Sequence, residues 1–276
     1  MSGELFGSVK RTNRALKYLK RFIRDSFNYI TFRQFRGIYD DFQQAEAAAP
    51  RRKPLGYNNF NLAREYQATL NLNLDCSDYP ALFHLDRILQ KKRCHTILDF
   101  GGNVGVHYLR YRKYLNLDNI AWIICDVPEI TKVGQENCAN FPNIKFINAI
   151  TDIKDTKLDM FLAVGSIQYV RKANDILEYL VAKNEGLTHI LIDQLPLYDG
   201  CEFVTLQNGE IVFYPQHVFN RCQYIKNIKK LGYSLVDSWK DSIDSCVIPF
   251  HPDKSVYEYT GLYFSKNKAG GSKYGN

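Results

Sequence analysis

Residues 96–109 read Thr96-Ile97-Leu98-Asp99-Phe100-Gly101-Gly102-Asn103-Val104-Gly105-Val106-His107-Tyr108-Leu109. A short apolar run ends in an acid, a tight glycine turn follows, and an apolar pattern at helical spacing begins beyond it. Such a strand–loop–helix unit lets a ligand approach the main chain closely, because glycine has no Cβ to hold it off. The acid and the clustered glycines favour a nucleotide-cofactor loop over an ordinary strand-to-helix turn. The stretch therefore predicts the first strand of an α/β sheet and one wall of a binding site.

From Thr96 onward strand and helix patterns alternate, the signature of a mostly parallel sheet covered on both faces. Strands are predicted at 96–100, 120–125, 144–148, 159–164 and 189–193, with a last pair at 233–239 and 259–265. Helices fall at about 105–115, 129–139, 173–183 and Val218–Leu231. Upstream, short helical patterns cover Gln43–Ala49 and Asn61–Leu74, and Asp78 is placed to cap a third helix that ends at Lys91-Lys92-Arg93. The expected fold is a Rossmann-like sheet with its last strand antiparallel and a helical N-terminal extension.

The loop chemistry selects among three cofactor classes. A phosphate-cradling P-loop needs a lysine after its last glycine, and Val106 follows Gly105. A dinucleotide fold places its glycines against a pyrophosphate, where the preceding Asp99 would repel it. S-adenosylmethionine carries an ammonium, a sulfonium and no phosphate, so Asp99 suits its methionyl end, directly or through water. Asn103 stands where a middle glycine is usual, and Asn tolerates positive φ better than most residues with a Cβ.

A second test lies 27 residues beyond Asp99, where Ile124-Cys125-Asp126-Val127-Pro128 closes the second strand. A carboxylate there accepts charge-assisted bonds from both ribose hydroxyls; an acid capping the next helix is the competing role. After the third strand, Asp152 is the candidate acceptor for the adenine amino group, with a plain loop acid as the alternative. After the fourth, Ser166 and Gln168 are candidates for lining the methionyl end, although Ser166 equally suits a helix N-cap.

On these motifs the chain resembles the class I S-adenosylmethionine-dependent methyltransferases. It is similar, more narrowly, to a bacterial family of methyltransferase-like proteins found among surface-polysaccharide genes. The resemblance spans roughly residues 35–265. It rests on Gly37–Phe42, Tyr79-Pro80, Asp99–Gly105, Trp122–Pro128, Ser166–Tyr169, Ile192-Asp193 and Tyr214-Pro215. It implies cofactor contacts at Asp99, Gly101, Gly102, Asn103, Gly105, Asp126 and Val127, and it supplies no acceptor.

Acceptors of such sheets bind beyond the carboxyl ends of the strands. Val204–Phe213 reads as a β-hairpin on a type I′ turn at Asn208-Gly209, a candidate lid. Transfer to a hydroxyl benefits from a base: Asp193 at the end of strand five, His217 at the start of the last helix and His107 after the glycine loop are the candidates, with His217 and Asp193 preferred. No Asp/His cluster has metal-ligand spacing, so no metal is expected. The expected activity is methylation of a hydroxyl on a sugar or other small polar acceptor. The alternatives are a nicotinamide-dependent oxidoreductase, which Asp99 disfavours, and a catalytically degenerate scaffold at the membrane surface.

Nine Lys/Arg against Glu4 and Asp25 concentrate the whole net charge of +7 in residues 1–36. Within them, residues 9–32 pattern as a basic amphipathic helix, suited to an anionic membrane surface or to docking on protein. No nucleic-acid motif accompanies the charge. The organisation expected is a basic arm (1–36), a helical cap (37–93), a cofactor-binding body (94–266) and a flexible tail (267–276). Seven scattered cysteines without CxxC spacing, and no apolar run long enough to span a bilayer, suggest a cytoplasmic chain, with the arm as its point of peripheral membrane contact.

Overall fold

The computed structural model describes residues 35–91, 94–153 and 156–267, together with Leu19, Lys20 and Ile23. Most of the predicted helix at 9–32, Lys92-Arg93 and residues 268–276 lie outside the described residues.

Near-continuous apolar runs build the parallel strands β2 (Thr96–Phe100), β3 (Ala121–Cys125), β4 (Ile144–Ile147), β5 (Met160–Val164) and β6 (His189–Leu195). Runs of this kind are stable only where both faces of a sheet are covered. With β10 (Tyr233–Asp241) and β11 (Tyr259–Lys266) they form one seven-stranded sheet of order β10-β11-β6-β5-β2-β3-β4. β11 runs antiparallel to both neighbours, as expected.

Alternation along the strands divides the core between the two faces. Leu98, Ile123, Phe161 and Ile190 face one layer, packed by α6 (Ala173–Lys183) and α7 (Arg221–Lys230). Ile97, Trp122, Leu162 and Leu191 face the other, against α3 (Asp78–Gln90) and α4 (Val106–Tyr111). The cap helix α2 (Phe60–Ala68) packs through Ala63 and Tyr66 on Ile130 and Val133 of α5 (Pro128–Asn137). Asp78 does not cap α3. It is the helix's first residue, buried, and its carboxylate accepts from Arg110 at 2.6 Å and Tyr111 at 3.1 Å.

A second sheet was not foreseen in full. The hairpin β8 (Phe203–Asn208) and β9 (Phe213–Asn220) gains β1 (Phe35–Tyr39) on one side and β7 (Leu197–Tyr198) on the other. Behind β1, Asp41 caps the short α1 (Phe42–Ala47) through the Gln44 N–H at 2.8 Å. Two expectations fail here. The turn is not type I′: the ladder closes at Asn208–Phe213, and neither Asn208 nor Gly209 has a positive φ. Lys53 Nζ holds the wider loop through Asn208 Oδ1 at 2.9 Å and the Gly209 carbonyl at 2.7 Å. The last helix begins at Arg221, three residues later than predicted, because β9 pairs with β8 as far as Val218 and with β7 through Asn220. His217 therefore lies on a strand.

Candidate functional site

The loop after β2 is shaped by what lies beneath it. Gly101 at φ 68° and Asn103 at φ 56° both turn left-handed, so Asn103 fulfils the conformational role expected of it. Its own Oδ1 accepts from the Val104 N–H at 2.8 Å, a local bond that steadies the turn. A Cβ on Gly101 would run into the side chain of Ser166, which brings the β2 and β5 loops together. Ser166 Oγ donates to the Phe100 carbonyl at 2.6 Å and makes no helix-cap bond.

Between these loops opens a cavity of about 300 Å³ at the carboxyl ends of β2, β3 and β5, a volume at the lower end for small-molecule sites. Of the predicted cofactor residues, Gly101, Asn103, Asp126, Val127 and Ser166 line it. Asp126 accepts the Asn103 N–H at 3.0 Å and the Val127 N–H at 2.7 Å. Burial raises its pKa to about 6, with those two N–H bonds and His107 opposing. Each carboxylate oxygen spends one bond on the main chain, which leaves acceptor capacity toward the cavity.

Other predicted residues act behind the wall. Asp99 shares the face of Ile97 rather than the cavity, since side chains alternate along β2. Its wholly buried carboxylate accepts from Trp122 Nε1 at 3.1 Å and from His107 Nδ1 at 3.0 Å. Gly102 is required because a Cβ there would strike that carboxylate, and Gly105, at φ 95°, lies against Cys138. Asp152 is exposed and accepts the Ala149 N–H at 3.0 Å in a short 3₁₀ turn; the residue lining the cavity after β4 is Asn148. Gln168 is buried and donates to the Gln194 carbonyl at 3.1 Å.

Neither preferred base lines the cavity. His217 stacks on Phe219 with centroids 5.1 Å apart and meets Phe42 at 4.6 Å, its Nε2 lies 3.3 Å from the Arg171 carbonyl, and burial lowers its pKa. Asp193 points to the same face of the sheet as Asp99 and likewise meets a tryptophan, Trp239 Nε1 at 3.0 Å. Its Oδ2 is buried without a partner, and burial, with Asp241 adding, raises its pKa to about 7.

Of the three candidates for a base, His107 alone lines the cavity. The structure adds residues that sequence reasoning passed over, Tyr57 and Tyr66 of the cap and Tyr169 after β5. Tyr57 stacks on Tyr214 at 4.5 Å and meets Tyr169 edge-on at 5.1 Å, while the Tyr169 hydroxyl donates to Gln207 Oε1 at 2.8 Å. The β8–β9 hairpin thus fixes the aromatic wall. A signal existed: Tyr169 sits in the stretch after β5, Tyr57 just precedes the cap helix and Tyr66 lies on it. The described residues contain no cluster of three or more potential metal ligands.

By sequence, no family model matches the chain, and a comparison with curated proteins finds no match. By structure, it is similar to 1,6-didemethyltoxoflavin-N1-methyltransferase of Burkholderia thailandensis, crystallised with 1,6-didemethyltoxoflavin and S-adenosylhomocysteine. The two share 15% identity over 76% of this chain and 84% of that one, with a TM-score of 0.50. An S-adenosylmethionine-dependent methyltransferase of Clostridium acetobutylicum gives 11% identity over 75% and 98%, TM-score 0.49. With its strand order and its antiparallel β11, the chain has the Rossmann-like fold of the class I methyltransferases.

Proposed function

We propose that the protein binds S-adenosylmethionine and transfers its methyl group to a hydroxyl of a sugar or other small polar acceptor. One observation carries the cofactor assignment: the wall holds a carboxylate, Asp126, beside a tight glycine turn and, among the described residues, no Lys or Arg. A pyrophosphate would meet repulsion there, whereas ribose hydroxyls meet an acceptor. The residues present therefore fit the cofactor. When bound it supplies an electrophilic methyl group; the chain's part is to hold that group in line with the acceptor and exclude water.

The acceptor class rests on the family resemblance to proteins of surface-polysaccharide genes and on the aromatic wall, which suits the apolar face of a sugar ring. With His217 and Asp193 off the cavity wall, the reading leans on positioning rather than on either as the base. The proposal puts the chain in the cytoplasm, with the basic residues 1–36 as a peripheral membrane contact. No described helix is long and apolar enough to cross a membrane.

Calorimetry with S-adenosylhomocysteine tests the reading. Binding by the full chain, strongly weakened in Asp126→Ala, is the expected result; no binding by the unaltered chain would overturn it.

A further inference from the structure

The methionyl end of the proposed cofactor brings a carboxylate as well as an ammonium into the cavity. Main-chain carbonyls can satisfy an ammonium in many loops, but a buried carboxylate needs donors, best of all a cation. The sequence offered Asp99 for this end of the site, and the structure withdraws it: Asp99 has no exposed surface and already accepts from His107 and Trp122. What lines the cavity in its place is His107, whose side chain keeps 9% of its surface exposed.

That ring is fixed on one side only. Nδ1 lies 3.0 and 3.1 Å from the two Asp99 oxygens, and the ring stacks on Tyr111 at 6.0 Å. Since a carboxylate only accepts, Nδ1 carries the proton toward Asp99. Nε2 has no partner among the described residues, and His107 lines the wall together with Gly101, Asn103 and Ser166. Apart from His107, no residue of that wall can carry a positive charge.

From this geometry we infer that His107 is the residue that grips the cofactor's carboxylate, donating from Nε2 while Asp99 anchors the opposite nitrogen. The electrostatics agree. Burial pushes the imidazole pKa down, but the charge and hydrogen bond of Asp99 outweigh it, with Asp78 adding and Arg110 opposing, so the ring's pKa stands above its ordinary value. Asp126, which faces the same space, also favours the imidazolium. The carboxylate–histidine pair acts here as a cation holder rather than as a base. An imidazolium already doubly engaged has no free site for an acceptor's proton.

The inference rests on the proposed cofactor, and the experiment separates the two. Calorimetry on the full chain compares S-adenosylhomocysteine with its decarboxylated analogue, for the unaltered protein and for His107→Asn and His107→Gln. The unaltered protein should prefer the carboxylate-bearing ligand by on the order of tenfold to a hundredfold, as a charge-assisted bond does. The variants should bind both ligands alike, near the analogue's unaltered affinity, which also reports that they are folded. A variant that keeps the preference, an unaltered protein that shows none, or variants that bind neither ligand would overturn the role of His107. An unaltered protein that binds neither ligand overturns the cofactor assignment itself.

Discussion

The main-chain N–H of Asn103 donates to Asp126 Oδ2 over 3.0 Å, tying the left-handed turn after β2 to the acid at the end of β3. One carboxylate thus sets the shape of the glycine loop and offers acceptors to the cavity. Asp126→Ala should do more than remove a ligand contact, because it also strands the N–H groups of Asn103 and Val127. Affinity for S-adenosylhomocysteine should fall on the order of a hundredfold, at about 1.5–3 kcal/mol for each bond to a charged acceptor. Asp126→Asn, which keeps one carbonyl acceptor, should fall less in the same calorimetric titration.

Asp126 and His107 together predict a bell-shaped pH dependence of that affinity. Asp126 accepts ribose hydroxyls best when ionised, and its pKa is raised by burial to about 6, so affinity should climb as pH rises through 6. His107 donates best when protonated, and its pKa is raised, so affinity should decline again as pH passes above the ordinary histidine range. Asp126→Asn should erase the acid limb and His107→Asn the alkaline one. A flat profile in the unaltered protein would count against both assignments.

How much of this was legible in the sequence follows from periodicity. Buried parallel strands carry uninterrupted apolar runs, so Thr96–Phe100 falls on the predicted residues and helix 173–183 does as well. Facing was harder, because strand direction is local whereas the layer a side chain enters depends on register. Asp99 follows Ile97 onto the face packed by α3 and α4 and so leaves the cavity to His107. The β8–β9 hairpin was visible as alternation, but its partners β1 and β7 come from 168 residues upstream and from the preceding loop, pairings no local pattern encodes. Tyr66 reached the site the same way, by packing of a cap helix on α5, and Tyr57 by stacking on Tyr214 of β9.

Asp193 is predicted to cost stability. A buried carboxylate with its Oδ2 unpartnered and a pKa raised to about 7 holds its proton more tightly folded than unfolded. Its contribution is favourable below the unfolded pKa and is lost as pH rises through 7. Asp193→Asn keeps the acceptor for Trp239 Nε1 and removes the charge, so it should stabilise the protein at pH 8 by on the order of 2 kcal/mol. The gain should shrink as pH falls below 7 and vanish only below the ordinary carboxylate pKa of about 4, in thermal melts across that range. An unchanged melting temperature at pH 8 would contradict it.

Gly105 and Gly56 make a matched pair for separating backbone strain from crowding. Both are left-handed, at φ 95° and 83°, but a Cβ on Gly105 would run into Cys138 whereas one on Gly56 meets nothing within 4 Å. Gly56→Ala should cost about 1–2 kcal/mol, the price of a left-handed residue with a Cβ. Gly105→Ala should cost more, and should weaken cofactor binding because Gly105 begins α4, which carries His107. Thermal melts rank the two, and Cys138→Ala in the Gly105→Ala background should recover part of the difference.

The arm is the remaining test of cellular placement. Phe35 and Arg36 pair with Gln207 and Leu206 in the second sheet, so a deletion that spares the fold should stop at residue 34. The segment it removes carries eight of the nine basic residues of 1–36 against two acids. Each basic side chain near an anionic bilayer is worth about 1 kcal/mol, an attraction that salt screens. Full-length protein should therefore sediment with vesicles containing phosphatidylserine at low salt, release as salt rises, and ignore neutral vesicles. The chain lacking residues 1–34 should stay in the supernatant while binding S-adenosylhomocysteine with unaltered affinity. Retention on the vesicles by the truncated chain would move the contact to the body of the protein, whose charges balance at 27 of each sign beyond residue 36.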